Sequence, residues 1–239
     1  MQVTEFYLGL IWLFVAIITI LMLFLCYLYL AIKRALHRES QSLAFSHLVI
    51  EGIETERRRV SRELHDIVLP LVPDTAVSGL IRTICMELMP PDFSKLSLKD
   101  TLNDLCTRFS ARTLIKCVCF IDEQLNFNKF SAENQLHLYR IIQEAFTNIE
   151  KHSQASQASL VARSSSENIL ICISDDGAGF QNNSSNHQNV KKKIHGSRLE
   201  SLGMMSMRQR AAIIRAKLDF ISESGNGLMV RIELPPPPR

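Results

Sequence analysis

The stretch ILICISDDGAGF, Ile169 to Phe180, decides the fold. Its apolar and polar residues alternate up to the first aspartate, the pattern of a strand in a half-covered sheet. The strand then gives way to an acidic, glycine-rich turn. An Asp-Gly pair alone is a common turn signal. What gives this one weight is the segment upstream, YRIIQEAFTNIEKHSQA, Tyr139 to Ala155. There Leu138, Ile141, Ile142, Ala145 and Ile149 form the core stripe of a helix, while Glu144, Asn148, Lys151 and His152 recur at helical spacing on the opposite face.

Working outward, the pattern predicts helices over 98–112, 132–152 and 199–215. Strands are predicted over 115–121, 158–164, 169–174, 217–223 and 228–234, with a polar loop over 181–198. Strands follow helices without regular βαβ alternation, so the expected class is α+β, a two-layer α/β sandwich.

The motifs stand in the order of the GHKL nucleotide-binding fold shared by gyrase, chaperone, histidine kinase and MutL proteins, and the chain resembles that family. The resemblance implies ATP with Mg²⁺. Asn148 and Glu144 would serve the metal, the first by its amide oxygen and the second by orienting metal-bound water. Lys151 would supply charge to the phosphates, His152 belongs to the same cofactor-binding set, and Asp175 would accept from the adenine amine. Asp176 falls at a variable position. Gly177 and Gly179 would let the backbone pass close to the base.

Two further stretches extend the resemblance. SLGMMSMRQRA, Ser201 to Ala211, keeps Gly203, Met207 and Arg210, with Ser201 where a glycine is usual. Gly203, opening a helix, would turn backbone N–H groups toward phosphate. SGNGLMVRIELP, Ser224 to Pro235, keeps Gly225 and Gly227, with Leu228 in place of threonine.

Towards the N-terminus lies ETERRRVSRELHDIV, Glu54 to Val68. It resembles the phosphoacceptor box of sensor histidine kinases of the NarX/DesK type, which marks His65 as the acceptor. The residue types suit that chemistry, because a neutral imidazole is nucleophilic and an adjacent carboxylate, Asp66, can take its N–H. Arg58, Arg59 and Arg62 are candidates for steering the polyphosphate. A heptad with Leu36, Leu43, Ile50 and Leu64 in one set and Ile53, Val60 and Ile67 in the other predicts a modest coiled coil, interrupted by Arg57. In that register His65 points away from the seam into solvent.

Two departures stand out. Pro70 occupies the position of a glutamine that in the family orients water for dephosphorylating the partner, and proline inside a helix costs about 3 kcal/mol. ELMPPDFSKLSLKDTL, Glu87 to Leu102, resembles the end of the second hairpin helix and arrives early. The dimerisation hairpin is therefore expected to be shortened relative to a normal four-helix bundle.

Phe6 to Ile32 contains no charged residue and no histidine, and Lys33, Arg34, His37 and Arg38 follow at once. Such a run can cross a hydrocarbon core of about 30 Å, and the basic flank places its C-terminal side in the cytoplasm. The expectation is an uncleaved single-pass anchor in the inner (cytoplasmic) membrane of a bacterium. Residues 1–5 would form a short outer end, 6–32 the transmembrane helix, 33–96 the signalling and phosphoacceptor segment, 97–235 the ATP-binding domain and 236–239 a tail.

A formal charge of +3 gives no argument for direct nucleic-acid binding, and the six cysteines lack metal-finger spacing and suit a reducing compartment. Membrane lipid, a second copy of the chain and a response regulator of the NarL type are the partners the resemblance implies. The function expected is autophosphorylation of His65 from ATP, with onward transfer to that regulator. The alternative is a phosphorylation-deficient, nucleotide-binding membrane protein that modulates another kinase.

Overall fold

The computed structural model describes residues 2–73, 76–165, 168–179, 192–193, 202–222 and 227–236. It divides into two compact units, 1–46 and 47–239.

The first unit is helical, part of a helix α1 that spans Gln2–Glu63. Within it, Ile17–Arg34 is long and apolar enough to cross a membrane, and none of that window is buried. Side chains such as Leu21, Phe24 and Tyr27 are exposed, as an apolar surrounding would require.

The second unit is a six-stranded sheet covered by helices. After α2 (Ala76–Leu88) and α3 (Leu98–Thr113) come β1 (Lys116–Ile121), α4 (Ala132–Asn148), β2 (Gln157–Ser165), β3 (Asn168–Asp175) and β4 (Lys192–Lys193). Helix α5 (Leu202–Ile213) and strands β5 (Lys217–Ser222) and β6 (Leu228–Leu234) complete it. The sheet order is β1-β2-β3-β6-β5-β4, with β1 parallel to β2 and every other pair antiparallel. That matches the expected α+β class. The two-residue strand β4 inside the stretch read as a polar loop is an addition.

Alternation does what the sequence implied. Leu160, Ala162, Ile171, Ile173, Phe220, Val230 and Ile232 face the helices and are buried. Leu138, Ile141, Ile142, Ala145 and Phe146 of α4 meet them. Each such side chain contributes on the order of 1.5–3 kcal/mol by leaving water. The starts of α3 and α4 are capped by Ser97 and Ser131, whose hydroxyls accept the Asp100 and Asn134 amides. Cys117 and Cys119 share one face of β1, as expected, but are half-buried, while Cys106 on α3 is fully buried.

Residues 47–63 of α1 belong to this unit and pack on α4 and α5. Ile50 is 1 % exposed, and Glu54 and Ser61 on the same stripe are also buried. Ser61 Oγ donates to the Cys85 carbonyl at 2.9 Å, which ties α1 to α2. Glu54 accepts from Arg140 Nη2 and from Arg210 Nη2, each at 2.9 Å. Arg140 also donates to the carbonyls of Glu87 and Leu88 and to Gln143, so its fork is fully used. The expected heptad seam is thus divided. Ile50 faces the folded unit, whereas Ile53 and Ile67 remain exposed.

Candidate active site

Asn148, His152, Asp175 and Gly179 line one cavity of about 270 Å³, closed by Ile149, Met204, Met207, Phe220, Leu228 and Val230. A second cavity beside it is lined by Arg57, Arg140, Glu144, Lys151 and Arg210, and Met207 borders both. The four polar residues expected on one face of a single helix are therefore divided between two cavities. The cause is local. Helix α4 ends at Asn148 and Ile149–Ser153 winds on as a π turn, and helical spacing sets Lys151 to one side of Glu144 with Asn148 and His152 to the other.

The first cavity is apolar with one buried carboxylate. Burial raises the Asp175 pKa, while backbone N–H groups of Gly177 and Leu228 oppose the rise. A carboxylate has about four acceptor sites, so these two donors leave capacity for a ligand amine. A flat heteroaromatic base with an exocyclic amine fits such a chamber. Asp176, read as variable, is a structural residue. It accepts from the Ser156 amide and hydroxyl and from the Gln157 amide at 2.6–2.8 Å, which pins the start of β2.

Gly177 is required by the protein's own packing, since a Cβ there meets the Ser153 carbonyl and the Asp175 carboxylate. Gly179 lines the cavity at φ 64°. Gly203 lies against the Glu144 carboxylate, so the space of its missing side chain is taken by a residue assigned to the metal. Gly227, at φ 79°, packs on the backbone carbonyl of Asp175. Gly225 and Ser201 lie outside the described residues. A cavity holding Asn148 and Asp175, with Glu144 and Lys151 next door, suits a nucleotide with its metal. When bound, Mg²⁺ would supply charge neutralisation at the phosphates, held by Asn148 and Glu144.

His65 stands apart from both cavities. It lies in a π turn, Leu64–Val68, that continues α1 and passes into a short 3₁₀ turn at Leu69–Leu71 containing Pro70. The missing Pro70 N–H removes one rung of the helical ladder, and the α geometry ends a residue before Leu64. The ring is 67 % exposed, and its Nδ1 is 2.9 Å from Asp66 Oδ1. Of the arginines proposed to steer phosphate, Arg59 is committed to Glu56 and Glu63. Arg57, read only as a heptad fault, lines the second cavity.

The residue that sequence reasoning missed is Glu54. Burial pushes its pKa up, but Arg140 and Arg210 outweigh this and hold it below the usual carboxylate range. Burial lowers the guanidinium pKa of both partners against the pull of Glu54, from a range so high that both stay charged at neutral pH. The available signal was the stripe Ile50, Glu54, Arg57, Ser61, which marks one helical face.

Residues 133–238 match the family described as histidine kinase-, DNA gyrase B-, and HSP90-like ATPase. Among curated proteins, the chain is similar to the sensor histidine kinase MctS of Rhizobium johnstonii. They are 29 % identical over 227 positions, covering 82 % of this chain and 47 % of that one. It is also similar to the sensor protein VraS of Staphylococcus saprophyticus, 26 % identical over 77 % of this chain and 56 % of that one. The sensor histidine kinase LiaS of Bacillus subtilis is 24 % identical over 77 % and 55 %. The chain spans about half the length of these relatives. The solved histidine kinase domain of the Erythrobacter litoralis EL346 blue-light activated kinase shares the fold. Its TM-score is 0.52 at 16 % identity, over 76 % of this chain and 83 % of that one. The chain is thus similar to sensor histidine kinases, and its residues 133–238 match the ATPase family that histidine kinases share with DNA gyrase B and HSP90.

Proposed function

We propose that this chain is an ATP-dependent protein-histidine kinase of the two-component type, anchored by its N-terminal apolar helix, with His65 as phosphoacceptor. The observation that carries the reading is the exposed His65–Asp66 pair on the helix that docks on the nucleotide-binding unit. Helices α1 and α4 run in the same direction there. His47 is level with Glu133, Glu54 with Arg140, and Arg57 shares a cavity with Glu144 and Lys151. His65 lies eight residues, about 12 Å of helix, beyond Arg57, on the side towards which α4 delivers Asn148 and His152.

Asp66 accepts the Nδ1 proton and orients the ring, leaving the Nε2 lone pair outward. That nitrogen attacks the terminal phosphorus of ATP. The N–P bond forms as the P–O bond to ADP breaks, and Asp66 offsets the charge that develops on the imidazolium. Asp175 holds the base, and Lys151 and Arg57 offer positive charge where the phosphates would leave the first cavity. Exposed Ile53 on α1, Ile67 and Leu71 in the turns that follow it, and Val77 and Leu80 on α2 favour a homodimer through the hairpin. The 13-residue α2 supports a shortened hairpin. A NarL-type regulator as onward acceptor, the NarX/DesK subtype and a single-pass inner-membrane location follow from the sequence resemblance.

Given ATP labelled in its terminal phosphate, the purified chain in lipid nanodiscs should take up label stable in alkali and lost in acid. A chain that binds nucleotide yet takes up no label would instead be the non-catalytic modulator.

A further inference from the structure

Away from the nucleotide cavities, three potential ligands converge where α1 first meets α4. Glu133 and His137 stand one turn apart on α4, and His47 reaches them from α1. His47 Nε2 is 3.1 Å from Glu133 Oε1, His137 Nε2 is 3.8 Å from the same oxygen, and the three ligand atoms lie within 4.8 Å of one another. The second observation is independent of this clustering. His137 is 5 % exposed, and its Nε2 is buried without a hydrogen-bond partner while aimed into the group. A buried ring nitrogen without a partner carries an uncompensated desolvation cost, which a ligand would recover.

We propose that His47, Glu133 and His137 form a binding site for a divalent transition ion of the zinc class, fastening α1 to α4. Two imidazoles and one carboxylate select zinc, cobalt or nickel over magnesium and calcium, which prefer all-oxygen shells. Three protein ligands leave a fourth position for water, and the half-exposed side chains of His47 and Glu133 keep the site open to exchange.

The chemistry of His137 links this site to the Glu54 cluster. Arg210 Nη1 lies 3.4 Å from His137 Nδ1, and arginine can only donate. That contact therefore places the ring proton on Nε2, where no acceptor is within hydrogen-bond reach. An ion on Nε2 moves the proton to Nδ1, with no net proton change. Arg210 then gives up the ring and keeps its 2.9 Å bond to Glu54.

The test uses the full chain, free of any affinity tag, stripped with chelator and held in excess Mg²⁺ without nucleotide. Co²⁺ should bind at one equivalent with the visible absorption of a four-coordinate site, and Zn²⁺ should displace it. His47→Ala and Glu133→Gln, both at exposed positions, should each weaken binding at least tenfold, on the scale seen when metal shells are disturbed. His137→Gln should do the same if it folds. No Co²⁺ bound by the wild type, or undiminished binding in the His47→Ala, Glu133→Gln double variant, would overturn the proposal. Either result is independent of phosphotransfer, because no ATP is present.

Discussion

The carboxylate of Glu54 lies between the guanidinium groups of Arg140 and Arg210, 2.9 Å from each, with all three side chains at most 7 % exposed. One residue of α1 thereby joins α4 and α5. Breaking a buried ion pair from one side costs about 3–5 kcal/mol, because the remaining charge stays buried and unpaired. Glu54→Ala should lower the stability of the unit by that order and expose residues 50–61 to faster amide hydrogen exchange. Unchanged exchange there would show that the cluster does not hold α1.

The same cluster sets an acid limit. The Glu54 pKa is depressed in the folded chain despite its burial. Its stabilisation is therefore fully present above the ordinary glutamate value and lost as pH falls through the lower folded one. The difference in melting temperature between the wild type and Glu54→Gln should be largest near neutral pH and shrink as the pH falls below the ordinary glutamate value. A gap that persists in acid would assign the effect to packing.

Adjacent aspartates have separable roles. Asp175 faces the cavity, and Asp176 holds Ser156 and Gln157. Asp175→Asn should reduce affinity for a fluorescent adenine nucleotide at least tenfold, since it presents a donor to a donor. Asp176→Ala should lower the melting temperature and leave affinity within about twofold. Equal losses of affinity in both would contradict the division.

Two glycines should differ in how they fail. A side chain at Gly227 meets the Asp175 backbone at a positive φ, where neither part can yield. At Gly203 it meets only the flexible end of Glu144. Gly227→Ala should therefore be the more destabilising in thermal unfolding, by more than the roughly 1 kcal/mol expected from the backbone angle alone. Gly203→Ala should fold and bind nucleotide with a weaker dependence on Mg²⁺, because Glu144 is displaced.

Much of this was legible in the sequence because it rests on periodicity. The alternation of 169–175 and the stripe from Leu138 to Ile149 each point to one face, and the structure uses those faces. Asp175 and Asn148 could be placed for the same reason, each sitting at the end of a regular element. What escaped were departures from regularity. The π turns at 64–68 and 149–153, which carry His65 and Lys151, leave no signature in composition. Glu54 and His137 escaped because a buried charge or imidazole looks like a surface residue until its distant partners in the chain, Arg140 and His47, are brought beside it.

Phosphopeptide mapping of the full chain after incubation with labelled ATP bears most directly on whether His65 is the acceptor. Label should appear on the peptide that contains His65, with an acid-labile bond, and be absent from a His65→Gln chain that binds nucleotide as well as the wild type. Label retained in His65→Gln, or carried by a serine or threonine elsewhere, would contradict it.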